Sequence, residues 1–182
     1  MSHPTRDCDD RDEPGSSAEG DGPPEPADRP APSPAETNVA SDCLASERAA
    51  VLMSRVATIA AMLARDVARI GIRVVRDAEM QSLHRRWHNR DATTDVITFE
   101  AHPEGPLEVD MVLCLDEAER AAASRSHSAD EELLLYAVHG LLHCCGFDDH
   151  TASEAAAMHE EEDRLLQEIG LPAVYRVKGG AS

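Results

Sequence analysis

Two histidines four residues apart, His139 and His143, stand in the segment His139-Gly140-Leu141-Leu142-His143. On a helix, residues at this spacing lie one turn above each other on one face, with about 6 Å between their Cβ atoms. Two imidazoles so placed can share one metal ion through bonds of about 2.0–2.1 Å. Gly146 permits the left-handed turn that ends a helix and swings the chain back, and Phe147-Asp148-Asp149-His150 follows it. The returning loop offers a carboxylate, Asp149, ten residues after His139, and an imidazole, His150, eleven after it. Either would be a third ligand and would leave a fourth position open to water, whose pKa a zinc ion lowers to about 7. Three protein ligands with an open position is the catalytic zinc pattern, whereas structural zinc is normally closed by four. The plainer interpretation is two core histidines satisfied by backbone carbonyls, and it leaves the glycine turn and the groups after it unexplained. Cys144 and Cys145 point about 100° and 200° away from His143 on a helix, so they are expected to pack in the core.

The element that must carry these histidines reads Leu133, Leu134, Leu135, Ala137, Val138, Leu141 and Leu142, apolar nearly all round. Such a helix is central and buried. Ser128 starts it, and Asp130, Glu131 and Glu132 sit where the helix dipole favours acids. Upstream, apolar steps of three and four from Leu44 to Ile70 predict an amphipathic helix stopped by Gly71. A short strand is expected over Ile72–Val75, then a helix from about Ala78 to His88 capped by Asp77. Thr93–Phe99 and Val109–Leu115 read as two strands joined by a turn at His102–Pro106. Asp116 is placed to cap a short helix reaching about Ser124, and a last helix covers about Ser153–Ile169. The expected fold is α/β, a small mixed sheet covered by helices around a central, buried, metal-binding helix. The strands at Ile72, Thr94 and Val109 make up that sheet, since Thr37–Ala40 is too short to be counted as a fourth.

The chain has 182 residues, ordinary for one domain. It contains no run of 18 apolar residues that could span a membrane, and its polar, acidic start is unlike a signal peptide. Five cysteines at irregular spacing do not suggest a disulfide framework. A cytoplasmic protein with no membrane partner is expected. Residues 1–40 hold eight of the eleven prolines and ten acidic residues, a composition that cannot bury enough apolar surface to fold. They are read as a disordered acidic tail dispensable for folding, followed by a domain over 41–176 and a short C-terminal tail over 177–182. The net charge of −18 disfavours nucleic acid. From Arg65 to Arg90, however, seven arginines face three acids. That run allows either a local basic patch or an ordinary solvated helix face.

The stretch His139-Gly140-Leu141-Leu142-His143-Cys144-Cys145-Gly146-Phe147-Asp148 resembles the HGxLHLxGYDH signature of the YbeY family of zinc-dependent bacterial endoribonucleases. Leu83 to Phe99, ending Thr94-Asp95-Val96-Ile97-Thr98-Phe99, is similar to the family's LNxxYRxKDxPTDVLSF segment, and Val109-Asp110-Met111-Val112 to its GDI strand. The resemblance covers about residues 45–170. It implies one zinc per chain, single-stranded RNA as substrate with ribosomal RNA precursors as target, and a ribosome or ribosomal protein as partner. It departs from the signature at three places. Asp149 stands where the family has its third histidine, which makes Asp149 the first choice of third ligand and His150 the alternate. His88 stands where the family has an arginine, leaving Arg85, Arg86 or Arg90 to supply the cation. Val109 replaces a small residue.

The resulting expectation is a single-strand-specific, zinc-dependent endoribonuclease acting in rRNA processing and ribosome quality control. Guanidinium groups suit this chemistry because they match phosphate in a bidentate fork and offset charge growing in the transition state. Trp87 is expected in the core where the family has its tyrosine, with stacking on a base as the alternative. Two rival functions are a zinc metalloprotease and a ribosome-associated binding protein with a structural metal. The HExxH proteases place a general-base glutamate after the first histidine, where this chain has Gly140.

Overall fold

A computed structural model of the chain describes residues 35–125 and 127–175. The elements run β1 (Glu36–Ser41), α1 (Ser46–Ala60), β2 (Val67–Val75), α2 (Asp77–His88), β3 (Val96–Glu100), β4 (Leu107–Cys114), α3 (Leu115–Ser124), α4 (Ala129–Cys144) and α5 (Ala152–Glu168). The strands form one mixed sheet in the order β1-β2-β4-β3. β1, β2 and β4 are mutually parallel, and β3 pairs antiparallel with β4 as the hairpin partner expected from the sequence.

Alternation along β4 sorts the helices to the two faces of this sheet. Val109, Met111 and Leu113 join the main core with residues of α1, α3, α4 and α5. Val112 and Cys114 point the other way, into a smaller core with Met80 and Leu83 of α2 and with Ile97 and Phe99 of β3. α4 is buried along almost its whole length, from Glu132 to Leu142. Its start is fixed by a capping box in which the Ser128 hydroxyl accepts from Glu131 N–H and the Glu131 carboxylate accepts from Ser128 N–H.

Four expectations are corrected. The helix predicted to run to Ile70 ends at Ala60, and the next apolar residues belong to β2. Val67 and Ile70 keep helical spacing with α1 only by coincidence. The β-branched run through Val75 decides the conformation, and Gly71 lies inside the strand pairing with Asp110. Residues 36–41 form a fourth strand along β2, so the ordered domain starts before residue 41; residues 1–34 and 176–182 lie outside the described residues. Neither Asp77 nor Asp116 is an N-cap of its own helix. Asp116 instead accepts from the Asp77 N–H at 2.8 Å, one carboxylate serving the other helix's first turn. Trp87 is 57% exposed and lies outside the core.

Candidate metal centre

The end of α4 folds as its sequence requires. Gly146 adopts φ +92, a left-handed conformation that costs glycine little. Its N–H donates to His143 O at 3.1 Å, and Phe147 N–H donates to Leu142 O at 3.1 Å. These are the paired bonds of a Schellman motif. They return the chain over the last turn of α4 and bring Asp149 to the two histidines. Ligand atoms of His139, His143 and Asp149 lie within 4.8 Å of one another.

The two imidazoles are oriented from behind. His139 Nδ1–H donates to Glu162 Oε1 at 2.8 Å, and His143 Nδ1–H donates to Phe147 O at 3.1 Å. A carboxylate and a carbonyl only accept, so each ring carries its proton on Nδ1 and aims the Nε2 lone pair inward. The two Nε2 atoms are 3.1 Å apart. Two bonds of about 2.0–2.1 Å at a tetrahedral angle need roughly 3.3 Å, so the pair is already spaced for a shared ion. Asp149 Oδ2 stands 3.9 Å from His139 Nε2. Two imidazoles and a carboxylate are a donor set for a divalent metal, and the residues present fit one.

Glu162 is the residue that sequence reasoning missed. It lies on α5, is fully buried, and its Oε2 has no hydrogen-bond partner. Burial disfavours a protonated His139, but the Glu162 carboxylate, with Asp95 and Asp149 adding to it, outweighs burial and holds the imidazole above its ordinary value. A charge so placed raises the basicity of a metal ligand and fixes its ring. Glu162→Ala is expected to weaken metal affinity about 10- to 100-fold, with Glu162→Gln, which keeps an acceptor, falling between it and the natural chain. Competition against a chromophoric chelator measures both, and unchanged affinity in Glu162→Ala would remove the carboxylate from the account.

Of the remaining site residues, His150 is 78% exposed, and its Nδ1 contacts Asp148 rather than the histidine pair. Cys144 and Cys145 fall outside the group of His139, His143 and Asp149 and outside the exposed group of Asp148, Asp149 and His150, the two sets of possible ligands among the described residues. Burial pushes the Cys144 thiol up to about 11 and raises Cys145 as well. A cavity of about 480 Å³ opens beside His139 and Asp149, lined also by Asp95, Arg125, Tyr136 and Tyr175. None of Arg85, Arg86, His88 and Arg90 lines it. Arg85 is paired with Asp91, and the His88 ring sits 5.4 Å from that of His84. Arg125, the guanidinium that does line the cavity, donates to the buried Glu132 at 3.0 Å. It lies in the short connection between α3 and α4, where no motif marks it.

Gly140 faces away from this centre. A Cβ added there would meet Thr98 Oγ1 at 2.7 Å and Met111 Sδ at 2.9 Å, so the position is pressed against β3 and β4. No general-base side chain can stand at that place in the protease manner.

The family model described as endoribonuclease YbeY matches residues 37–170, from inside β1 to the end of α5. The chain belongs to the YbeY family. Its YbeY relatives include the endoribonuclease YbeY of Anaeromyxobacter sp. (strain Fw109-5), 37% identical over 132 residues that cover 71% of this chain and 69% of the relative. The Nitrobacter winogradskyi endoribonuclease YbeY is 31% identical over 153 residues, covering 77% and 80%. The fold is shared with a protein of Thermotoga maritima solved in solution, at a TM-score of 0.53 and 19% identity, over 80% of this chain and 99% of that one. Among the described residues, no helix of this YbeY chain is long and apolar enough to cross a membrane.

Proposed function

We propose that this YbeY-family chain is a zinc-dependent endoribonuclease that cuts single-stranded RNA, with precursor ribosomal RNA as its target and a role in rRNA maturation and ribosome quality control. The observation that carries the reading is a three-ligand centre, His139, His143 and Asp149, beside an open cavity, in a chain of the YbeY family. The donor set suits zinc. Zinc held there supplies Lewis acidity to water and to a phosphate oxygen.

The chain's own residues do the rest. Glu162 and the Phe147 carbonyl keep both imidazoles turned inward. Asp95, whose Oδ1 accepts from Val96 N–H at 2.8 Å and from the Thr94 hydroxyl at 2.9 Å, is a fixed carboxylate acceptor in the cavity for water or a ribose hydroxyl. Arg86 and Arg90 hold no ion pair among the described residues and are the cations proposed to take phosphates, with Arg85 released from Asp91 to join them. On so acidic a chain the phosphate contacts are few. The salt dependence of RNA affinity is therefore shallow, roughly −0.7 per contact on a single strand, and recruitment relies on a ribosomal partner.

The test is cleavage of a single-stranded RNA by the full chain, before and after chelation, with zinc restored. Cutting that stops on chelation and returns with zinc is the expected result. Cutting that persists in metal-free protein, or none with zinc restored, overturns the reading. Changing Arg85, Arg86 and Arg90 together to alanine is expected to weaken RNA binding while leaving zinc content intact.

A further inference from the structure

We infer that Trp87, with Arg86 beside it, is a base-stacking subsite for single-stranded RNA outside the metal-site cavity. Trp87 is the penultimate residue of α2 and is 57% exposed, the most exposed large apolar residue among the described residues. A tryptophan left in water exposes a large apolar area that a core position would have covered. The indole is held rather than loose. Its ring meets Phe99 of β3 edge-on, with centroids 5.3 Å apart and planes at 69°. Arg86 Cζ lies 5.4 Å from the indole centroid, within the range of a cation–π contact.

The charge around it points to the occupant. Most guanidinium groups of the described residues are neutralised, among them Arg65 by Glu100, Arg69 by Asp110, Arg85 by Asp91 and Arg120 by Asp77. Arg86, against the indole, and Arg90, three residues after it in the sequence, hold no carboxylate within 4.0 Å among the described residues. On a chain of net charge −18, an exposed ring packed on Phe99 with the unneutralised guanidinium of Arg86 beside it is complementary to a ligand with an aromatic face and a phosphate. Single-stranded nucleic acid presents both at every residue, and proteins grip it with this combination.

The place in the fold sets the role. Phe99 belongs to the core on the α2 side of the sheet, while α4 with His139 and His143 packs on the other side. β3 is the edge strand between them. The subsite therefore takes a nucleotide away from the scissile bond, where binding energy holds the strand without acting on the reacting atoms.

The inference rests on the nuclease reading, and Trp87 allows the two to be tested apart because it is the sole tryptophan of the chain. Its emission in the full, zinc-loaded protein is read immediately on mixing with a short oligoadenylate, and cutting of the same strand is followed separately. Quenching by the single strand but not by its duplex is expected. Trp87→Ala is expected to weaken affinity for labelled oligoadenylate about 5- to 150-fold, the equivalent of the 1–3 kcal/mol contributed by stacking a base on an aromatic ring. Trp87→Phe should recover most of that loss, and the defect should fall on KM rather than kcat. RNA that is bound and cut with no quenching, or with unchanged affinity in Trp87→Ala, overturns the subsite and leaves the nuclease reading standing; the patch would then serve a protein partner. Failure to bind or cut any single strand overturns both.

Discussion

His143→Ala is expected to lose zinc roughly a hundred- to a thousandfold in affinity while the protein stays folded. The size follows from sharing a binding free energy of about 10–16 kcal/mol, typical of four-ligand zinc sites, among the ligands. The fold survives because His143 lies on the exposed face of the last turn of α4 and gives up only one hydrogen bond, to Phe147 O. Asp149→Ala should match it, and His150→Ala should keep full zinc, because His150 stands outside the group formed by the two histidines and Asp149. Metal analysis of the three purified variants decides the matter. Full zinc in His143→Ala would move the site elsewhere, and loss in His150→Ala but not in Asp149→Ala would reverse the third ligand. The same centre should empty on acidification. An imidazole must be neutral to bind metal, and His139 is held above its ordinary value by Glu162 against the effect of burial. Protons and zinc compete for the same Nε2, so zinc is fully held above that raised value and is lost only as pH falls below it, further below the tighter the binding.

The contrast between Asp149 and His150 shows what the sequence can and cannot reveal of such a site. The helix was legible because an apolar run on every side has one solution, burial, and because Ser128 and Glu131 mark its start. The glycine turn was legible too. The register of the loop after it was not, since it depends on which N–H groups close on Leu142 and His143, and one residue of slip exchanges the two ligands. Glu162 did leave a signal. It occupies the stripe of α5 held by Met158, Leu165 and Leu166, and an acid at a core position is expensive unless something needs it there. Its place among three consecutive glutamates, Glu160 to Glu162, hides that signal.

Elsewhere the pattern was ambiguous for physical reasons. Val67 and Ile70 fit the period of α1, and only pairing with β1 and β4 makes them a strand. β1 has a weak sequence signal because an edge strand half exposed to water needs few large apolar residues. Trp87 was expected in the core because single tryptophans usually pack there. α2 instead fills its core contact with Met80 and Leu83, which leaves the last turn of the helix free to hold an indole outside.

Gly140→Glu, which would install the residue that proteases of the HExxH type use as base, is expected to abolish cooperative folding rather than create a peptidase. The first atom of the new side chain already falls within 3.0 Å of Thr98 Oγ1 and Met111 Sδ, and neither can withdraw far. Met111 is 1% exposed in the middle of β4, and Thr98 lies opposite it in the β3–β4 ladder. Overpacking alone costs about 1–3 kcal/mol. A carboxylate forced between α4 and the sheet adds the cost of an unpaired buried charge, which together approach the 5–15 kcal/mol stability typical of a domain. Gly140→Ala isolates the steric part, offset by up to about 1 kcal/mol of improved helix propensity. It should fold and bind zinc but melt several degrees lower. Thermal denaturation of the two variants separates these contributions. A Gly140→Glu chain that melts at the natural temperature would mean that α4 does not press on β3 and β4 at this point. The direction in which both histidines face would then have to be drawn again, since they share the helix with Gly140 and their orientation depends on the side it buries.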